Sequence, residues 1–214
     1  MRGIKLRTPA GLDRLELGTI ESSPAGAGQV RVRLHASSPN YHDYLVVTGA
    51  LPVPEGRIPM VDGAGEVVEV GEGVSEFAIG DHVVRTFFPR WRGGALTPEA
   101  IAGVPGDRDD DGYAREEAVV PVTGLTRVPA GFTHAEAATL PCAALTAWRG
   151  LFVEAPVQPG DTVLTQGTGG VSIFALQFAK AAGARVIATS SSPAKFEHLR
   201  ELGADHVITQ QSVI

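Results

Sequence analysis

With a single cysteine, Cys142, in 214 residues, no intramolecular disulfide can form, and a structural zinc held by three or four thiolates is excluded by count. No apolar run reaches the ~18 residues a membrane helix needs. The opening Met1-Arg-Gly-Ile-Lys-Leu-Arg interleaves charged and apolar residues and lacks the apolar block of a secretory leader. A cytoplasmic protein with no membrane partner is therefore expected. No stripe of Lys or Arg makes an electrostatic footprint for nucleic acid, and the formal net charge is −6. Internal repeats and low-complexity tracts are also lacking.

Glycine (26) and proline (15) are plentiful and punctuate the chain, which predicts many short strands joined by turns. Gln29–Ala36 alternates apolar and polar residues, as a half-buried strand does. Val61–Gly71, Asp81–Phe87 and Tyr113–Val120 read as further strands, so the part up to about Val122 is expected to be a compact, barrel-like β domain. Phe88–Asp111 reads as a long irregular excursion, of a kind that often serves function. After Pro129 the pattern changes. Thr133 with Glu136 makes a capping box, and a second helical stretch is expected from about Ala143 to Phe152. Beyond Gly160 the order is β-α-β-α-β: strand Thr162–Gln166, helix Val171–Ala182, strand Arg185–Thr189, a helix from Pro193 to Gly203, then His206–Thr209. That is one mononucleotide-binding half of a doubly wound sheet.

The strongest local signal is Gly167-Thr168-Gly169-Gly170-Val171-Ser172, set between a strand and a helix, where a phosphate-binding turn belongs. Glycines allow the tight turn and the close approach of a diphosphate, and the helix N-terminus offers unpaired N–H groups. Ser172 stands where a third glycine is expected. The bland alternative is an ordinary β-α turn that needs glycine. NAD-binding turns carry an acidic residue ~20 residues further on, for the ribose 2′-OH. Here that stretch is Thr189-Ser190-Ser191-Ser192, without a carboxylate. Ser190, Ser191 and Lys195 suit a 2′-phosphate, so NADP(H) is favoured over NAD(H); a plain helix-capping turn is the alternative.

These residues carry a family likeness. Gly160–Thr209 resembles the cofactor domain of medium-chain dehydrogenases/reductases, the superfamily of zinc alcohol dehydrogenases and quinone oxidoreductases. Asp62-Gly-Ala-Gly-Glu-Val, Val70-Gly-Glu-Gly-Val and Phe77-x-x-Gly80-Asp81-x-Val83 are similar to its GroES-like catalytic domain. The resemblance implies an α/β fold with a β-rich part: a GroES-like β-barrel domain with linking helices over 1–146, then a partial Rossmann domain over 147–214. It implies hydride transfer between the nicotinamide and a small carbonyl, alcohol, quinone or activated alkene, in a cleft between the domains. Thr146 matches a residue that lies against the nicotinamide.

The departures point to the zinc-free branch. Asn40 stands where zinc-using members have their first cysteine, Val61-Asp62 where they have His-Glu, and Cys142 alone keeps a ligand type; one soft ligand cannot hold Zn²⁺. The segment matching the structural-zinc lobe, Phe88–Asp111, has no cysteine. Without a metal, the candidates to bind or protonate substrate are Asn40, Tyr41 and His42. His42 matches the hydroxyl relay of zinc members, and an imidazole can act as acid near neutrality; packing roles are the alternative for each. Asp107-Arg-Asp109-Asp-Asp111-Gly112 mimics a calcium loop but has Ala118 where the bidentate Glu belongs, so it reads as a solvated acidic loop. The other histidines show no ligand spacing.

Family members run well past 214 residues. The resemblance implies that the chain is C-terminally truncated, lacking three more sheet strands and the usual dimer contact of the full-length form. A catalytically inactive nucleotide-binding fragment or relic is the alternative function.

Overall fold

A computed structural model of the chain describes residues 1–209. The described residues divide into two compact units, 1–142 and from 143 onward. No helix of the described residues is long and apolar enough to cross a membrane.

The first unit is built on an antiparallel ribbon, β1 (Arg2–Leu6) with β2 (Leu15–Thr19), and a five-stranded antiparallel sheet. The sheet contains β3 (Gln29–Ser38), β4 (Asp62–Val70), β5 (His82–Arg85), β6 (Glu117–Pro121) and β7 (Leu125–Arg127), in the order β6-β3-β4-β5-β7. Helix α1 (Tyr41–Val47) follows β3, the short α2 (Pro98–Ile101) lies in the excursion after β5, and α3 (His134–Ala137) follows β7. The alternation of β3 works as its sequence predicts: Val30 and Val32 are buried with Val67, Phe77, Val83, Tyr113, Ala118 and Val120, while the intervening Arg31 and Arg33 pair with Glu69 and Glu117. Burial of such a cluster is the main stabilising term. Gly65 of β4 sits where any Cβ would run into the Arg33 carbonyl of the neighbouring strand, so the Gly-broken look of that strand reflects close backbone approach.

The strand expected over Tyr113–Val120 forms only from Glu117. Gly112, Tyr113 and Ala114 instead donate their N–H groups to the carbonyls of Ile58, Met60 and Pro59 at 2.7, 2.7 and 3.0 Å, tying that segment to the approach to β4. The structure adds the ribbon β1–β2, helix α1, opened by an Asn40–Asp43 capping box, and strand β7 to the elements expected from sequence. The capping box of Thr133 forms as expected: Thr133 N donates to Glu136 at 2.8 Å and Glu136 N to Thr133 Oγ1 at 3.3 Å.

Three histidines distant in sequence stack in one column: His35 of β3, His134 of α3 and His82 of β5, with centroids 4.6 and 4.7 Å apart. Nδ1 of His82 meets Nε2 of His134 at 2.8 Å. Burial, then the charges His35 and His82 would carry, hold His134 below the ordinary imidazole range. A base held low in the fold is more readily protonated in the unfolded chain, so this contribution is present above about pH 6.5 and is lost as pH falls below it. Stability measured by urea unfolding is expected to drop from pH 7 to pH 5, and His134→Gln is expected to shed that part of the slope. An unchanged slope in the variant would show that the column does not resist protonation.

Helical turns over Leu140–Ala144, which begin in the first unit, lead into α4 (Leu145–Trp148) and Arg149–Glu154 of the second, the first and last with wide i→i+5 spacing. Then come β8 (Thr162–Thr165), α5 (Gly170–Ala181), β9 (Arg185–Ser190), α6 (Phe196–Glu201) and β10 (His206–Thr209). The three strands are parallel, in the order β10-β9-β8, as in half of a doubly wound sheet. Leu176 and Ala179 of α5, Val186 and Ala188 of β9, and Leu199 of α6 form the buried core. Trp148 meets Phe178 edge-on at 5.7 Å, fixing the α4 segment to α5.

Candidate functional site

The glycine turn joins β8 to α5. Gly167 has φ 78°, a left-handed conformation that costs other residues ~1 kcal/mol or more, and its N–H donates to Thr189 Oγ1 at 2.9 Å. Thr189 is 1% exposed and locks the turn to the end of β9. Its role has no local sequence signal, because the contact spans 22 residues. Ser172, in the place of a third glycine, donates from Oγ to the Gln166 carbonyl at 2.7 Å, so its hydroxyl ties the first turn of α5 back to the strand. Gly169, by contrast, has an ordinary φ of −77°, and a Cβ there would meet nothing within 4 Å. The fold does not require this glycine; the space beside it is where a ligand's phosphates can approach. The first N–H groups of α5 have no acceptor within the helix and favour an anion. Val171, exposed, stands on that first turn.

Lys195 reaches across 27 residues to place Nζ 3.1 Å from Thr168 Oγ1, so a cation stands at the lip of the turn. Ser191 is exposed beside it. Ser190 is buried, and its hydroxyl is engaged by the backbone of Ser192 at 3.1 Å in both directions, so it shapes the turn from beneath. Thr146 is exposed on α4, whose segment leans on the same helix: a Cβ on Gly170 would lie 3.2 Å from the Ala143 methyl.

In the first unit, Asn40 caps α1. Its N–H donates to Asp43 Oδ2 at 2.7 Å, and its Nδ2 donates to the Ser38 carbonyl at 3.2 Å and to Asp62 Oδ2 at 2.9 Å. Both amide hydrogens are thus committed inward, and the side-chain oxygen faces the Asp43 backbone N–H in the capping box of α1. Asp43 Oδ1 takes the Val61 N–H at 2.8 Å, and Asp62 Oδ2 also takes the Cys142 N–H at 3.3 Å. Asp62 is fully buried, and its Oδ1 has no hydrogen-bond partner. Burial first, and the charge of Asp43 in addition, push its carboxyl up to about 7, against the pull of Asn40 and the Cys142 N–H. Asp43 is raised as well, by burial. Burial and then the two carboxylates push the Cys142 thiol up to about 12, so it stays protonated.

His42 lies on α1 with its ring edge-on to Phe87 at 5.7 Å. Its Nε2 is buried without a hydrogen bond and stands 3.8 Å from Asp107 Oδ2. Tyr41 is largely exposed and stacks at 6.0 Å on Tyr44, open to a ligand but held by little. Among the described residues, no three His, Cys, Asp or Glu side chains are arranged to hold a metal ion.

Comparison with known proteins agrees with both units. Residues 26–130 match the alcohol dehydrogenase GroES-like domain, and 170–213 match the zinc-binding dehydrogenase family. A zinc-type alcohol dehydrogenase-like protein of Schizosaccharomyces pombe is 47% identical over 186 residues, covering 85% of this chain and 53% of the relative. The structure of a putative alcohol dehydrogenase from Sinorhizobium meliloti superposes with a TM-score of 0.91 at 39% identity, covering 99% of this chain and 63% of that one. The cobalt- and zinc-bound thermostable alcohol dehydrogenase of Pyrobaculum aerophilum superposes with a TM-score of 0.85 at 36% identity, covering 98% and 65%. The chain therefore spans about half the length of the curated relative and under two thirds of these solved chains.

Proposed function

Because the chain belongs to the medium-chain dehydrogenase/reductase superfamily of alcohol dehydrogenase-like and quinone oxidoreductase-like oxidoreductases, we propose that it acts in hydride transfer between NADP(H) and a small carbonyl, alcohol, quinone or activated alkene, without zinc. The observation that carries the proposal is Gly169, a glycine the fold does not need, at the mouth of α5 and beside open space. Thr168, Gly169, Gly170 and Val171 would hold the diphosphate, and Ser191 with Lys195 the 2′-phosphate. The bound nicotinamide supplies or accepts the hydride.

The zinc positions do not fit a zinc ion. Asn40 turns its amide hydrogens on Asp62 and Ser38, an amide N–H is no ligand, and among the described residues no three His, Cys, Asp or Glu side chains are arranged to hold a metal ion. Proton supply therefore falls to His42, with exposed Tyr41 beside it.

NADPH oxidation followed with aldehydes, enals and quinones, with and without a strong chelator, tests the reading. Turnover indifferent to the chelator is expected; turnover abolished by the chelator and restored by zinc would refute the metal-free half. Lys195→Ala is expected to raise the KM for NADPH about tenfold, the loss of one charge-assisted phosphate contact worth ~1.4 kcal/mol, and to leave the KM for NADH unchanged. An equal effect on both cofactors would remove Lys195 from the 2′-phosphate.

A further inference from the structure

We propose that Asp107 is a positioning residue for His42, holding the protonated imidazole by Nε2 so that Nδ1 delivers the proton; this rests on the reading of His42 as proton donor. Asp107 belongs to the acidic run that, from sequence, reads as a solvated loop. Within that loop, which stays partly exposed, the carboxylates have separate partners. Asp109 takes the Gly103 N–H at 3.2 Å. Asp111 takes the Ile58 N–H at 3.1 Å and the Arg57 guanidinium at 2.8 Å. Asp107 Oδ1 takes the Arg108 N–H at 2.8 Å, which fixes the carboxylate and leaves Oδ2 facing His42 Nε2 at 3.8 Å. Gly103 and Gly106, at φ 77° and 76°, turn the loop tightly enough to bring Asp107 there.

His42 Nε2 is buried and has no hydrogen-bond partner, a state that costs about 1–3 kcal/mol when the group cannot reach water. Asp107 is the acceptor within reach. The gap exceeds a hydrogen bond by about an ångström, as catalytic contacts often do before substrate binds, and a protonated ring closes it to a charge-assisted bond. The groups facing His42 are Asp43, next along α1, Asp107 from the loop, and the neutral Phe87. As the substrate is reduced, the Nδ1 proton would pass to its developing anion. Nε2–H stays with Asp107, the ring is left neutral, and solvent returns the proton.

The test uses the full chain, ¹⁵N-labelled at histidine, with Asp107→Asn, Asp107→Glu and His42→Gln. A downfield imidazole N–H resonance is expected at pH 6 in the wild type, absent in Asp107→Asn and His42→Gln, and present again in Asp107→Glu. In turnover, Asp107→Asn is expected to lower kcat about 10- to 100-fold with KM for NADPH unchanged, and Asp107→Glu to restore kcat. The same resonance in Asp107→Asn would overturn the pairing. Loss of the resonance with unchanged kcat would overturn His42 as donor while the pairing itself stands.

Discussion

Asp62→Asn is expected to be more stable than the wild type at pH 8, and the advantage is expected to grow by at most about 4 kcal/mol between pH 4 and pH 8. Its cause is the pocket that pushes Asp62 up from 3.8 to about 7. Each tenfold change in proton affinity is worth ~1.4 kcal/mol. A carboxyl raised by folding keeps its proton in the native state while the unfolded chain gives its proton up. The stability it confers is therefore complete below about pH 3.8, is lost as pH rises through about 7, and is flat above that. The asparagine cannot ionise and lacks this slope, although its own buried N–H₂ sits where Oδ1 now lacks a partner, an offset that does not depend on pH. Urea unfolding of both proteins at a series of pH values isolates the effect, because titrations that do not touch Asp62, including that of the histidine column, cancel in the difference. A difference constant with pH would mean that Asp62 ionises as freely as a surface carboxyl.

Gly169→Val is expected to separate binding from folding. The residue has ordinary helix-entry dihedrals, and a side chain would meet nothing within 4 Å. The cost in stability should stay within about 1 kcal/mol, the usual scale for a poor helix cap. The valine methyls would fill the space where the diphosphate approaches, and NADPH affinity is expected to fall at least 100-fold, roughly 2.7 kcal/mol. Gly167→Val provides the contrast: at φ 78° it is strained by the fold itself and should destabilise with or without nucleotide. Unfolding curves and NADPH titration on the same preparations decide it. Undiminished binding by Gly169→Val would mean that the glycine is a relic of the turn and not a seat for phosphate.

The parts that were legible in sequence are those whose cause is local. The alternation of β3, the capping box at Thr133 and the glycine turn before α5 each depend on neighbours within a few residues. The parts that were not legible depend on distant partners. Lys195 meets Thr168 across 27 residues and Thr189 meets Gly167 across 22. His82 and His134 are 52 apart and show no spacing that predicts a stack. Asp62 could be aligned but not weighed, since its raised carboxyl follows from burial among Asn40, Asp43 and Cys142, and burial is a property of the fold. The serine in place of a third glycine owes its place to the bond from its hydroxyl to the Gln166 carbonyl, which the glycine pattern does not announce. The acidic run stays partly exposed, as read from its composition, but nothing in its own residues tells which partners Asp107, Asp109 and Asp111 meet.

The central claim is that the mouth of α5 with Lys195 beside it grips NADP(H). Fluorescence titration of the wild-type chain with NADPH and, separately, with NADH tests it most directly. The account predicts saturable binding of both with NADPH tighter by about tenfold, the worth of one charged contact to the extra phosphate. Tighter binding of NADH, or no saturable signal with either, would contradict it.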